Sequence, residues 1–213
     1  MARHFLTILI SLILCTPCTS YARQGRPITA SELQDEASAL GIEPTPYMIV
    51  ISTSTQTLTL LHHNKAYETF TIATGRKGLG QHINTFKTPL GLHRINEKIG
   101  HEIPEYGIFI RRQYVGTWDP LPRHLHRKDF VSTRILRLEG LQPGFNKGLD
   151  RRGRVVDTEA RAVYIHGTTM EWKLGYPSTK GCIHMKAKDI RRLFEKVPLG
   201  TLVWITPKKL LNP

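Results

Sequence analysis

A cysteine and a histidine near the C-terminal end of the chain are spaced so that they could carry out nucleophilic chemistry. Cys182 follows Gly181, and His166 lies 16 residues before it, directly after the apolar run 162–165. A histidine can take the proton of an attacking thiol and later return it to the leaving group. The loop between the two residues is long enough to fold back and bring the imidazole to the sulfur. The spacing therefore predicts a catalytic Cys–His pair, with a strand-end histidine and a core cysteine as the structural alternatives.

The first 22 residues have the three parts of a cleaved secretory signal. A short basic start precedes the apolar residues 5–15, and small residues end at Ala22, where cleavage is predicted. A bilayer takes ~20 apolar residues to cross, so we expect export without a transmembrane segment. The other two cysteines lie within this signal, which leaves Cys182 as the only cysteine of the mature chain. In an oxidising compartment, a single thiol is buried, bridged to another chain or reactive.

The composition limits the function classes that need to be considered. The 213 residues include 30 Lys and Arg against 17 Asp and Glu, a formal charge of +13, and 40% of the residues are hydrophobic. These values exclude a coiled coil, a collagen, a wholly disordered chain and a multi-span membrane protein. For an exported chain, the positive charge favours anionic wall polymer, peptide carboxylates or lipid headgroups as partners over nucleic acid.

Short apolar and alternating runs predict a mainly β domain over residues 46–206. Near its end, Ile190, Leu193 and Phe194 repeat at helical spacing before Pro198 and predict a helix. The predicted fold class is a β-sandwich or barrel with one or two short helices. Its predicted strands cover residues 48–51, 56–60, 67–73, 106–111, 134–138, 162–165 and 201–205.

The segments outside these strands are short. Residues 23–45 are predicted to form an N-terminal helix and a linker, with capping-box spacing that begins at Ser31. Residues 207–213 are predicted to be a C-terminal tail. The glycine-rich run 75–81 has the spacing of neither nucleotide-binding loop and is interpreted as a mobile basic surface loop. The basic cluster 123–128 is interpreted as a solvated surface loop.

The segment 164–185 resembles the active-site motif of the L,D-transpeptidases, the YkuD-type catalytic domain. That motif consists of His-Gly-Thr, a loop, and Ser/Thr-His-Gly-Cys-Ile/Val-Arg-Met; the chain has IHGT at 165–168 and STKGCIHM at 178–185. Upstream, residues 48–75 are similar to the family's opening hairpin with its Thr-Gly ending, and TPLG at 88–91 is similar to its TPxG turn. The resemblance covers roughly residues 46–206, most of the mature chain, and implies an L,D-transpeptidase-like fold.

The resemblance implies an exported, wall-associated enzyme that acts on peptidoglycan stem peptides in the periplasm without a cofactor. Cys182 would attack the carbonyl carbon before the terminal D-Ala and form a thioester, while His166 takes the thiol proton and returns it to the leaving D-Ala. A main-chain carbonyl near Gly167 would orient the imidazole, and backbone N–H groups at Gly181 and Cys182 are the expected oxyanion hole. An amine from another stem peptide or a wall-anchored protein would resolve the thioester; with water, the enzyme would be a carboxypeptidase.

Two residues of the motif differ from the family pattern. Lys180 stands where the family usually has His, and His184 stands where it usually has Arg. Together with Thr179 they are expected to contact the substrate, so they bear on the choice between cross-linking, trimming and protein attachment. We also hypothesise that the Lys180 cation, two residues before Cys182, helps to keep the thiol ionised. The alternative is a Lys180 side chain in solvent, where salt screens its charge.

Four other interpretations explain less of the sequence. A non-catalytic basic wall-binding module would fit the charge but has no use for an unpaired thiol beside a histidine. In papain-like proteases the cysteine normally precedes the histidine, and here the order is reversed. Exported nucleic-acid binding rests on the charge alone. A metal site at His166, Cys182 and His184 lacks a matched C-x-x-C or H-x-x-x-H pair, so no metal is predicted.

Overall fold

A computed structural model describes residues 26–118 and 128–211 of the chain. The predicted signal, and all but the last residue of the basic cluster 123–128, lie outside the described residues. The helices are α1 (Ala30–Ala39) and α2 (Ala187–Lys196), with a 3-10 turn at Glu171–Lys173. The strands are β1 (Tyr47–Ser52), β2 (Thr57–His62), β3 (Lys65–Thr71), β4 (Gly91–Ile99), β5 (Gly107–Ile110), β6 (Gln113–Thr117), β7 (Val131–Gly140), β8 (Tyr164–Thr168), β9 (Ile183–Met185) and β10 (Leu202–Thr206).

The ten strands of the described residues form one curled sheet. Its order is β3-β2-β1-β10-β4-β7-β5-β6, and β8 joins it at β7 and carries β9. β1 pairs with β10 in parallel, as β8 does with β9, and the remaining described pairs are antiparallel. The predicted mainly β fold with two short helices is therefore confirmed. Within the same residues, no helix is long and apolar enough to cross a membrane.

Three strands, β4, β6 and β9, were not predicted. β4 lacks a long apolar run because charges lie along it, where Arg94 pairs with Glu139 and Glu97 pairs with Arg137 of β7. Opposite charges facing each other across a strand pair contribute about 0.2–1 kcal/mol, a stabilisation that hydrophobic patterning does not detect. β6 is an exposed edge strand and β9 has three residues, so neither produces a readable alternation.

The main hydrophobic core lies between the inner face of the sheet and α2. The helix buries Ile190, Leu193 and Phe194 at the predicted spacing. These side chains belong to the same apolar cluster as Leu136 of β7 and Ile165 of β8. Full burial of such a side chain stabilises the fold by about 1.5–3 kcal/mol. This packing therefore holds α2 against β7 and against β8, the strand that carries His166.

A second apolar cluster lies on the opposite, outer face of the sheet. Side chains alternate along β1, so Ile49 points into the main core while Met48 and Val50 point outward. Leu33 of α1 is fully buried against the outward pair, and Leu202 of β10 joins them. The helix in the predicted segment 23–45 is thus part of the packed structure.

The start of α1 differs from the sequence prediction. Thr29 is the N-cap: its hydroxyl accepts the Glu32 N–H, and the Glu32 carboxylate accepts the Thr29 N–H at 2.8 Å. The prediction of a capping box beginning at Ser31 is therefore wrong by two residues. The preceding residue, Ile28, pairs with Leu210 and both are buried, so a residue of the predicted C-terminal tail anchors the entry to the helix.

Candidate active site

The parallel pairing of β8 with β9 brings His166 and Cys182 to one face of the sheet. The register places Ile165 opposite Ile183, and His166 opposite His184. Both isoleucines belong to the main core. Because side chains alternate between the two faces of a sheet, the two histidines point to the outer face. Cys182, two residues before His184, points to that face as well.

The Cys182 thiol lies against the segment that leads into β8. Its Sγ is 3.7 Å from the carbonyl oxygen of Ala162, to which the thiol donates, and the Tyr164 backbone also hydrogen-bonds to the sulfur. The short strand β9 and Lys186 lie between the cysteine and the first residue of α2.

His166 is fixed in one orientation by its own backbone. The side chain is 2% exposed, and Nδ1 lies 2.8 Å from the carbonyl oxygen of Gly167. Since a carbonyl only accepts, Nδ1 carries the proton and Nε2 is left free to accept one. Burial lowers the pKa of His166, partly opposed by the Gly167 carbonyl and by Asp129, so the ring is neutral at pH 7. A neutral, oriented imidazole is what a general base requires.

The Cys182 thiol is protonated at neutral pH. Burial raises its pKa to about 11, while the Tyr164 backbone and the Arg161 guanidinium lower it. His166 is neutral as well, so the two residues are not a preformed thiolate–imidazolium pair.

Arg161 is a residue of the site that the sequence reasoning did not single out. Its guanidinium donates to the carbonyl oxygens of Gly80 at 3.1 Å and Gln81 at 2.8 Å, and to that of Lys87. It is also the cation that acts on the Cys182 thiol. One side chain thus joins the segment before β8 to the 80–87 loop and places a positive charge near the sulfur.

The loop that carries Cys182 is hydrogen-bonded to the segment 76–88, which includes most of the glycine-rich run. Thr88 Oγ1 donates to the Gly181 carbonyl at 3.0 Å, and the Arg76 N–H donates to the Thr179 carbonyl at 3.0 Å. Residues 75–81 are thus an irregular segment with an exposed tip, and its backbone contacts the loop that carries Cys182. Thr179 is buried, and its hydroxyl donates to the carbonyl of the cysteine at 2.7 Å, which points to a structural role.

Two glycines allow close backbone approaches beside the catalytic pair. A Cβ on Gly167 would lie 2.7 Å from the Ser132 carbonyl oxygen. Gly181 has a φ of +115°, and a Cβ there would lie 3.0 Å from the Lys87 carbonyl oxygen. The Gly181 N–H already donates to Thr179 Oγ1 at 3.0 Å, so it is not available as the predicted oxyanion donor. The N–H of the cysteine itself keeps that role as a prediction.

The two departures from the family pattern lie in different environments. Lys180 is exposed. His184 is buried next to His166, with ring centroids 4.5 Å apart, and its Nδ1 is 3.5 Å from an Asp129 carboxylate oxygen. Burial lowers the pKa of His184 well below its usual value, with further lowering from His166 and Lys173, so His184 is a neutral neighbour of the base. Asp129, which also accepts the Thr168 hydroxyl at 2.5 Å, gave no signal in the sequence.

A cavity of about 530 Å³ lies on the outer face, and Cys182 is not among the residues that line it. Ala162 and Tyr164, the two residues whose backbones contact the thiol, form part of its wall. In residues 26–118 and 128–211, no group of three or more His, Cys, Asp or Glu side chains is arranged to hold a metal ion. Cys182 and His166 thus share the outer face of the sheet with an open cavity, which the thiol adjoins through Ala162 and Tyr164.

The comparisons with known proteins agree with this class of site. The profile of the YkuD L,D-transpeptidase catalytic domain matches residues 46–205, and the chain belongs to that family. It is 33% identical over 96 residues to the probable L,D-transpeptidase ErfK/SrfK of Escherichia coli K12, over 45% of this chain and 29% of that protein. It is 39% identical over 59 residues to the putative L,D-transpeptidase YqjB of Bacillus subtilis, over 28% of this chain and 31% of that protein.

These matches span under a third of the length of either relative. Among solved structures, the fold is similar to that of the L,D-transpeptidase from Xylanimonas cellulosilytica. That likeness has a TM-score of 0.46 at 16% identity and covers 81% of this chain and 68% of that chain.

Proposed function

We propose that this chain is an exported L,D-transpeptidase that forms a thioester between Cys182 and a peptidoglycan stem peptide and passes the acyl group to an amine. The observation that carries the proposal is the shared outer face of Cys182 and His166, with the imidazole fixed by the Gly167 carbonyl. Membership of the YkuD family supports the reaction type. The proposed chemistry needs no cofactor or metal.

The first half-reaction moves one proton from sulfur to nitrogen. His166 Nε2 takes the thiol proton as Cys182 Sγ bonds to the carbonyl carbon that precedes the terminal D-Ala. The Cys182 N–H is the candidate donor to the oxyanion of the tetrahedral intermediate. When the carbon–nitrogen bond breaks, His166 returns the proton to the amine of D-Ala, and the thioester remains on the enzyme.

The second half-reaction resolves the thioester. An amine bonds to the thioester carbon, gives a proton to His166 and displaces the sulfur, which recovers the proton as a thiol. An amine of another stem peptide yields a cross-link, and one of a wall-anchored protein yields an attached protein. Water as the nucleophile would make the chain an L,D-carboxypeptidase.

Both residues rest in their neutral forms, which suits this sequence of proton transfers. Burial raises the pKa of Cys182 and lowers that of His166, so no charge separation exists before the substrate arrives. The charged pair forms only as the sulfur attacks. Export to the periplasm belongs to the same proposal and rests on the predicted signal at residues 1–22, since peptidoglycan lies outside the cytoplasm.

The deciding experiment is intact-mass analysis of the mature protein with a purified tetrapeptide muropeptide. We expect Cys182 to gain the mass of the muropeptide minus that of D-Ala, together with one released D-Ala per adduct. Cys182→Ala, which removes a small half-buried side chain, is expected to remain folded and to give neither product. Adding an amine acceptor should discharge the adduct into a cross-linked product, whereas discharge by water alone would indicate the carboxypeptidase.

A wall-binding module would give a different result in the same experiment. It would retain the muropeptide without covalent adduct and without D-Ala release, and its retention would be unchanged in Cys182→Ala. Turnover by a folded Cys182→Ala protein would overturn the assignment of the nucleophile.

A further inference from the structure

The tip of the β5–β6 hairpin consists of two arginines in an unfavourable backbone conformation. Ile110 pairs with Gln113, so Arg111 and Arg112 are the two central residues of the turn. Their φ angles are 50° and 68°, as in the type I′ turn that joins strands most tightly. Asn and Gly are the residues that adopt this conformation readily, and arginine is strained there.

Both arginine side chains reach the cavity beside the nucleophile. Arg111 and Arg112 are exposed and line the same 530 Å³ cavity as Ala162 and Tyr164. Burial raises the pKa of the Tyr164 phenol, while Arg112 and Arg137 lower it, so the charge of Arg112 extends to the residue next to the thiol. The exposed hairpin tip therefore lines the same cavity as the two residues whose backbones contact the Cys182 thiol.

Among the residues that the structure describes, the two tip arginines differ from the third arginine of the cavity in having no carboxylate partner. Arg137 is 2.5 Å from a Glu97 carboxylate oxygen and 3.3 Å from one of Glu159, so two carboxylates offset its charge. Within the described part of the chain, neither Arg111 nor Arg112 forms an ion pair. The mouth of the cavity is therefore cationic, and its floor is apolar where Phe109, Val131 and Ile135 line it.

We propose that Arg111 and Arg112 bind a carboxylate group of the peptide substrate at the mouth of the cavity and so determine which peptides reach Cys182. The proposal rests on the proposed function for the identity of the substrate as a stem peptide. A guanidinium presents parallel N–H donors that match the two oxygens of a carboxylate. The apolar floor suits the aliphatic part of a peptide side chain. Within the described chain no carboxylate pairs with the two arginines, so no ion pair there compensates for their strained turn.

A stem tetrapeptide offers two sources of this chemistry, its C-terminal carboxylate and the side-chain carboxylate of its third residue. Three donors distinguish them: the free peptide, the peptide with a C-terminal amide, and the peptide with an amidated side chain. The test variant is Arg111→Asn/Arg112→Gly, which removes both cations and fits the turn better, so the hairpin is retained. The matched control is Arg151→Gln/Arg152→Gln, an exposed arginine pair in a turn that does not line the cavity.

Binding is measured first by calorimetry on the Cys182→Ala background, where no chemistry occurs. For the free peptide we expect a Kd about tenfold higher in Arg111→Asn/Arg112→Gly and unchanged in the control, since hydrogen bonds to charged groups are the strong ones. In the chain that retains Cys182, Arg111→Asn/Arg112→Gly should raise KM above the wild-type value by a similar factor, with little change in kcat. For one of the two amidated peptides, the hairpin variant and the parent should bind equally, which identifies the carboxylate that is held.

Two results would overturn the proposal. One is an unchanged Kd for the free peptide in the hairpin variant. The other is an equal loss for all three donors, which would show general damage to the groove. Failure of the proposed function would look different: wild type would form no adduct with any donor, while the Kd series would still report on the arginines.

Discussion

The outer face of the sheet is closed at one end and open at the other. At the closed end, Met48 and Val50 of β1 point outward and Leu33 of α1 covers them. At the open end, Tyr164 and His166 of β8 point to the same face, beside a cavity lined by part of this strand. The sheet is continuous between the two ends, through β10, β4 and β7. One structural face therefore serves two purposes.

The difference follows from the chemistry of the side chains that alternation turns outward. Apolar side chains at the closed end stabilise the fold when a helix removes them from water, by about 1.5–3 kcal/mol each. Ionisable side chains under such a helix would be costly to desolvate. At the open end, burial holds His166 and Cys182 in their neutral forms. The closed end supplies stability, and the open end carries the two residues proposed to transfer protons.

The largest expected effect is the loss of the base at the open end. His166→Gln keeps a group that can donate to the Gly167 carbonyl but cannot take the thiol proton. We expect kcat/KM for D-Ala release to fall by about 10²–10⁴-fold, with the unfolding midpoint close to that of wild type. The matched control is His63→Gln, in an exposed turn between β2 and β3, which should retain full activity. Near-normal turnover in His166→Gln would transfer the base role to His184.

A substitution at the closed end should lower the free energy of unfolding without changing the activity of the folded protein. Leu33→Ala empties a fully buried site under α1 and is expected to lower the free energy of unfolding by about 3 kcal/mol. Leu40→Ala, at a 38% exposed position after the same helix, should change it by less than about 0.5 kcal/mol. Urea unfolding measures both. A loss of activity per folded molecule in Leu33→Ala would show that the two ends are coupled.

A smaller effect is expected at Arg161, whose guanidinium lowers the pKa of the Cys182 thiol. Its replacement by Met removes the charge, so the thiol pKa rises and less thiolate exists at any pH below it. We expect iodoacetamide to alkylate Arg161→Met about tenfold more slowly at pH 8, which corresponds to about one pKa unit. Faster alkylation would mean that the carbonyl contacts matter more than the charge.

The conservative variant separates those two contributions. Arg161→Lys keeps the positive charge but cannot donate to Gly80, Gln81 and Lys87 in the same way. We expect its alkylation rate to lie near that of wild type, while its free energy of unfolding falls because buried carbonyls lose donors. If alkylation of Cys182 were slowed equally in Arg161→Met and Arg161→Lys, the slowing would result from a changed position of the 80–87 loop and not from the lost charge.

Cys182 and His166 could be singled out from the sequence because local spacing and the family motif both mark them. The same motif placed the orienting carbonyl near Gly167, where the structure has it. Arg161 could not be predicted in this role, since its contacts with the 80–87 loop depend on how distant segments fold together. The cap of α1 is similar: Ser31 fits the capping pattern, but Thr29 is the cap because Ile28 pairs with the C-terminal segment.

The hairpin with Arg111 and Arg112 shows a different limit of sequence reasoning. Two arginines are not a turn signal, and β6 has an exposed, irregular pattern, so neither the strand nor its tip was predicted. Local preference and observed structure disagree at the position where the chain faces the cavity. Such disagreements are expected where a fold gives up local stability for a binding or catalytic role.

The smallest expected effect concerns Lys180, the residue that sequence proximity first connected with the ionisation of Cys182. Its side chain is exposed, where salt screens a charge over ~8 Å. The guanidinium of Arg161, in contrast, is fixed by its carbonyl contacts and lowers the pKa of the thiol. We therefore expect the alkylation rate of Lys180→Met to follow the wild-type dependence on pH between 7 and 10, while that of Arg161→Met is displaced to higher pH. If the pH profile of alkylation were displaced as far in Lys180→Met as in Arg161→Met, Lys180 would also lower the pKa of the Cys182 thiol. That result would contradict the prediction that Arg161 alone of the two cations acts on the thiol.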